Sequence, residues 1–216
     1  MRRAASGTRR LQICAGLLLT LGGINISLGS LGERYSRLGP LLGHEVLWWA
    51  LLVIVVLFVL LVEGLPLASM ELKRPTPATL WAIPAGLALV VGVPFIYFQI
   101  FPLLHLHMNS AAISKFAATP FWYRLILVTR AAVCEETLCR GYAIPRLEEL
   151  TGKSSLAAAL SWAAFTVAHL NSWGWAQLLV AGYGGAILTA LFVWRRDLAC
   201  NMLAHFIGDG VGFLLG

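Results

Sequence analysis

The sequence predicts an all-α, polytopic transmembrane helical bundle with about seven spans and a cytoplasmic N-terminus. Composition gives the first reason: 59% of the 216 residues are hydrophobic and only 12% are charged, the balance of an integral membrane protein. The second is that the apolar runs are continuous and do not alternate as a barrel's strands would. The third is their number. Seven stretches, at 11–31, 45–65, 78–104, 120–144, 155–171, 174–194 and 198–215, mostly reach the roughly 20 residues needed to cross about 30 Å of hydrocarbon.

In the first stretch, Arg2, Arg3, Arg9 and Arg10 precede a run from Leu11 past Ile24. A signal peptide begins in this way, but the run has no small-x-small cleavage site, so an uncleaved first helix is expected. The second and third stretches are plain apolar spans. Between the third and fourth, His105 and His107 fall in an exposed outer loop, where the alternative reading is a metal site. The fourth is expected to start at Thr119-Pro120, an N-cap followed by proline, and to end near Pro145. In the sixth, Gly182, Gly184, Gly185 and Ala186 give a small-residue face for close helix approach.

Charge sets the orientation. With seven spans and the N-terminus inside, eleven basic residues fall in cytoplasmic segments and four, Arg34, Arg37, Lys115 and Arg124, in outer ones, as the positive-inside rule requires. The net charge of +6 therefore reflects topology and contact with anionic lipid, and nothing in the chain forms a nucleic-acid groove. Cys14, Cys134, Cys139 and Cys200 lack metal-type spacing and read as buried thiols. Trp48, Trp49, Trp173, Trp175 and Trp194 read as interfacial anchors. The chain has no internal repeat and no connection longer than about 20 residues, so it reads as one integral membrane domain: residues 1–119 supply N-terminal helices and connections, and 120–216 carry the chemistry.

That chemistry begins at Glu135, Glu136 and Arg140. Each charge at the centre of a helix in lipid costs roughly 2.5 to 3.5 kcal/mol, so all three together cost roughly 8 to 10 unless they pair or face a wet cavity. Glu136 and Arg140 are four apart, acid first, and can pair along one face. Glu135 lies about 100° around the helix and is left free for chemistry. An end near Pro145 puts these groups toward the cytoplasmic side. In the fifth stretch Phe165 and His169 are four apart, and in the seventh His205 and Asp209 repeat the spacing. Each histidine alone reads equally as a hydrogen-bonded core residue. Arg130 is expected to pair with a buried acid or carbonyl, or to meet a negative group on a ligand.

Glu-Glu-x-x-x-Arg at 135–140, Phe-x-x-x-His at 165–169 and His-x-x-x-Asp at 205–209 resemble the three motifs of the CAAX protease and bacteriocin-processing (CPBP or Abi) family. The resemblance covers roughly residues 120–216 and implies an intramembrane glutamic endopeptidase acting on a membrane-associated protein or peptide. Under it Glu135 is general base on a water that His169 also holds, His205 and Asp209 form the oxyanion side, and Glu136, Arg140 and Phe165 support them. Position 209 departs from the simplest form of that scheme, because an ionised aspartate has no donor for an oxyanion. It works if protonated, if it orients a protonated His205, or if it helps hold a metal.

The resemblance calls for no cofactor. The alternative that keeps the reaction makes Glu135, His169 and His205 zinc ligands, although His-Glu-x-x-His is absent. A different class remains open: a non-enzymatic immunity or scaffold factor, or a proton-coupled transporter. The family's substrates include prenylated tails, leader peptides and C-terminal sorting segments, the last two suiting a chain this compact. A site toward the cytoplasmic end implies cleavage near that face. A multi-pass protein of the plasma or inner membrane is expected if the source is bacterial.

Overall fold

The computed structural model describes residues 6–25, 38–170 and 174–215; Arg2, Arg3, Arg34, Arg37 and Trp173 lie outside them. Among the described residues every long apolar run is helical, because a backbone surrounded by apolar groups must satisfy its own hydrogen bonds. Helix α1 is Gly7–Leu17, capped by Ser6 and continued by a π-helical turn at Leu18–Gly22. Helix α2 is Leu38–Leu57 with a π turn at Phe58–Val62. Helix α3, Ala82–Phe95, continues through Ile96–Ile100 to Leu103. Helix α4, Ser110–Ala117, lies in the connection expected to be a loop, although His105 and His107 there are exposed as anticipated.

The next rod starts as α5, Phe121–Arg130, passes through π-helical segments at Ala131–Glu135 and Thr137–Ala143, and ends as α6, Ile144–Thr151. Helices α7 (Ser154–Ala168), α8 (Gln177–Arg195) and α9 (Leu198–Leu214) follow. Among the described residues three helical stretches are long and apolar enough to cross a membrane, Leu41–Val62, Pro77–Leu103 and Gln177–Arg195; Ser154–Ala168 and Leu198–Leu214 are shorter apolar helices.

The rod differs from expectation at both ends. It starts one residue later, since the Thr119 hydroxyl donates to the Phe116 carbonyl (2.7 Å) and Pro120 takes the cap position. It also runs through Pro145 to Thr151, stopping at Gly152 with φ +69°. Proline breaks an α-helix because it has no N–H and its ring strikes the carbonyl four residues back. Here the wider π turns of Thr137–Ala143 immediately precede it, and that altered register leaves room for the ring. Glu135 therefore sits 14 residues after Phe121 and 16 before Thr151, about 21 Å and 24 Å along the axis. It is at mid-length, not near the basic end.

The basic end itself is sealed by ion pairs. Arg146 grips Glu63 (2.6 Å), Arg9 bridges Glu63 (3.0 Å) and Glu149 (2.8 Å), and Arg196 pairs with Glu148. Glu63 also accepts from the Tyr142 hydroxyl at 3.1 Å, so its side chain is completely buried. Beside them Asp197 caps α9 through the Cys200 amide and accepts from Thr79 (2.7 Å). These groups belong to the starts of α1, α3 and α9 and to the ends of α2, the α5–α6 rod and α8, so the helices alternate in direction.

The exterior is apolar, with Leu61, Val91 and Phe98 outward, as lipid requires. One expected assignment changes: Cys14 is exposed, while the other three cysteines are buried. Cys14 shares α1 with Ile13 and Gly16, and these take the inward face. Close packing rests on glycine. A Cβ at Gly185 would lie 2.9 Å from Phe165 Cδ1 and 3.1 Å from Trp162 Cδ1, so α7 and α8 meet at the small-residue face. Gly185→Ala is expected to push these rings off their seats at a cost of about 1 to 3 kcal/mol. A thermal melt in detergent as high as wild type would show instead that the interface absorbs a methyl group.

Candidate functional site

Four helices bring the site together, and a π turn decides its first contact. In an α-helix residues five apart point to different faces, but the π ladder joins i to i+5. Across Ala131–Glu135 it sets Arg130 Nη1 2.7 Å from Glu135 Oε1. The expectation that Glu135 stands free is corrected, since one of its oxygens holds an arginine. Arg130 Nε donates to Glu45 Oε2 (3.1 Å) and its guanidinium lies 4.8 Å from the Trp48 ring. Glu45 Oε1 accepts from Tyr123 (3.4 Å) and lies 3.6 Å from His44 Nδ1.

His44 is thus buried near the start of α2, and Trp48, half-buried, stacks under the Arg130 guanidinium. Sequence reasoning missed Glu45, which stands 85 positions from its partner. The available signal was a charged residue inside an apolar run, the same signal that picked out Glu135.

Glu136 has a different neighbourhood. Its Oε1 accepts from Arg140 Nη1 (3.0 Å) and faces His205 Nδ1 (2.9 Å), while Oε2 accepts from Asn201 Nδ2 (3.0 Å). Arg140 goes on to the Gly185 carbonyl (3.1 Å) and Thr189 (3.4 Å) and stacks 4.2 Å from the Phe165 ring. Glu136 and Arg140 side chains are both wholly inaccessible, so this carboxylate is a node joining the rod to α7, α8 and α9. A buried pair of this kind survives only when further hydrogen bonds satisfy both ions.

The two later histidines are held differently. His169 Nδ1 lies 2.8 Å from the Phe165 carbonyl; a carbonyl only accepts, so Nδ1 carries the proton and Nε2 keeps its lone pair. His205 has Glu136 at Nδ1 and Asp209 Oδ2 at Nε2, 3.3 Å away. Flanked by two carboxylates, it donates from both nitrogens and carries positive charge.

A cavity of about 530 Å³ runs along these groups. Glu135, His169, His205 and Asp209 all line it, whereas Glu136 and Arg140 do not. The rest of the wall is largely apolar, as suits an apolar substrate segment. Among the described residues no three His, Cys, Asp or Glu side chains are grouped to hold a metal ion. Both His205 nitrogens face carboxylates.

Residues 117–211 match the family model described as Rce1-like, type II CAAX prenyl endopeptidase. This part of the chain is similar to the CAAX protease and bacteriocin-processing family. No curated protein and no solved structure matches the chain. The CPBP match contains every residue of the cavity's polar end named above, from Arg130 to Asp209; Glu45 and His44 lie before it. With three helical stretches long and apolar enough to cross a membrane among the described residues, the chain is an integral membrane protein.

Proposed function

We propose that the protein is an intramembrane glutamic endopeptidase, with Glu135 as general base. The carrying observation is that one cavity holds Glu135, with one oxygen unclaimed by Arg130, together with a histidine whose Nε2 keeps its lone pair. In this reading a water sits between Glu135 and His169. Glu135 takes one of its protons as the water oxygen bonds to the substrate carbonyl carbon, and the carbonyl electrons move onto oxygen. The oxyanion shares the Nε2–H of the positive His205 imidazole with Asp209, whose contact there is long at 3.3 Å. The protonated Glu135 then delivers its proton to the amide nitrogen as the C–N bond breaks, leaving a carboxyl terminus and a free amine. Asp209 and Glu136 fix the His205 ring between them. Arg130 fixes one oxygen of Glu135, and Glu45 shares the arginine so that Glu135 is not its sole partner.

Cleavage of transmembrane-peptide libraries by purified protein in detergent tests the reading. Activity indifferent to a zinc chelator is expected. Loss on chelation with recovery on adding zinc would replace the glutamic mechanism with a metal-dependent one. Wild type that cuts no peptide in a broad library would favour a non-enzymatic role.

A further inference from the structure

We infer that the cavity opens to the non-cytoplasmic side of the membrane, so that the substrate is the membrane-anchoring segment of an exported protein or peptide, cut in the leaflet away from the cytoplasm. The orientation stands on geometry and charge alone; the substrate class rests on the peptidase reading above.

The helices alternate in direction, and the cavity draws on one half of each. It takes His44 from the start of α2, Tyr97 from the continuation of α3, Tyr123 from the start of α5, His169 from the end of α7, Gln177 from the start of α8 and Phe213 from the end of α9. All are the ends remote from the ion-paired face. At that opposite face Glu63 is buried under Arg9, Arg146 and Tyr142, and Arg196 locks α8 onto Glu148. A substrate therefore has a route to Glu135 from one side and a sealed wall on the other.

Which side faces the cytoplasm follows from the basic residues. Arg140, counted with the cytoplasmic group from sequence, is wholly buried at mid-depth and drops out. Among the described residues eight basic side chains (Arg9, Arg10, Lys73, Arg74, Arg146, Lys153, Arg195 and Arg196) remain with the sealed end against two, Lys115 and Arg124, with the open end, a bias that places the sealed end in the cytoplasm. The expectation of cleavage near the cytoplasmic face came from ending the rod at Pro145; with the rod continued to Thr151, the catalytic groups lie at mid-depth and their access lies outward. A segment entering from outside presents its outer half to Glu135, which suits the anchors of exported chains.

Cysteine accessibility tests the orientation without any catalysis. Ile113, exposed beside the mouth, and Lys153, exposed in the turn at the sealed end, are replaced singly in the full chain, Ile113→Cys and Lys153→Cys. Cells expressing each variant are treated with a membrane-impermeant maleimide, using the wild type as the baseline for native thiols. The expected result is a mass shift of I113C in intact cells and of K153C only after permeabilisation. K153C labelled in intact cells, or I113C labelled only after permeabilisation, overturns the orientation.

A second arm uses two single-helix reporters of fixed orientation, carrying the same cleavable stretch in the outer or the inner half, with Glu135→Gln as control. Cleavage of the outer reporter alone is expected. Cleavage of the inner one alone overturns the substrate class even if the labelling stands. Correct labelling with neither reporter cut overturns the peptidase reading and the substrate class together, and leaves the orientation in place.

Discussion

Glu135→Gln is expected to reduce kcat by about 10²- to 10⁴-fold, the usual contribution of a positioned general base, while the unfolding midpoint stays close to wild type. The substitution keeps the volume, and the glutamine carbonyl still accepts from Arg130 at the position now 2.7 Å away. What it removes is the ability to take a proton from water. Glu136→Gln is expected to behave in the opposite way. Both Glu136 oxygens face donors, Arg140 and His205 on one and Asn201 on the other, so an amide NH₂ meets a donor whichever way it turns. A buried donor facing a donor forfeits its bond and leaves both groups unsatisfied, at about 1 to 3 kcal/mol or more with charge involved. The two variants are compared by peptide cleavage and by thermal unfolding in the same detergent. A Glu135→Gln protein that cleaves like wild type removes Glu135 from the mechanism.

The contrast shows what a sequence reveals about such a site and what it hides. Glu136 with Arg140 and His205 with Asp209 were legible because each pair is four residues apart on a helix, a spacing that sets contact before any fold is known. The family motifs lie on the same three segments, and residues 117–211 match the family model. The pairing of Arg130 with Glu135 was not legible: it is five apart, and only the local π turn makes that spacing a contact. Glu45 was hidden for another reason. Its partner is reached only when α2 packs against α5, and no pattern within α2 specifies that neighbour. The misjudged depth of the site had the same origin as the first miss. Pro145 was taken as a terminator because the rule assumes α-helical geometry, and π turns precede it. Local spacing thus fixed the pairs, while departures from ideal helix geometry fixed where the pairs lie.

The buried node gives the largest expected effect on stability, and its asymmetry is what makes it informative. Arg140→Met keeps a long apolar side chain over the Phe165 ring, a contact that suits a thioether. It removes one donor from Glu136 but leaves the carboxylate with His205 and Asn201. Breaking a buried pair by removing one partner costs about 3 to 5 kcal/mol, and Arg140→Met is expected at the lower end because His205 remains as counter-ion. Glu136→Leu strands Arg140 with only the Gly185 carbonyl and Thr189, and leaves His205 with Asp209 alone. It is expected at the upper end or beyond. In the double variant Glu136→Leu with Arg140→Met the stranded arginine is gone, so the protein should be more stable than Glu136→Leu although it carries one more substitution. Reversible unfolding of the four proteins in one mixed-micelle series measures this. A double variant less stable than Glu136→Leu, or Arg140→Met worse than Glu136→Leu, would show that the arginine and not the carboxylate organises the node.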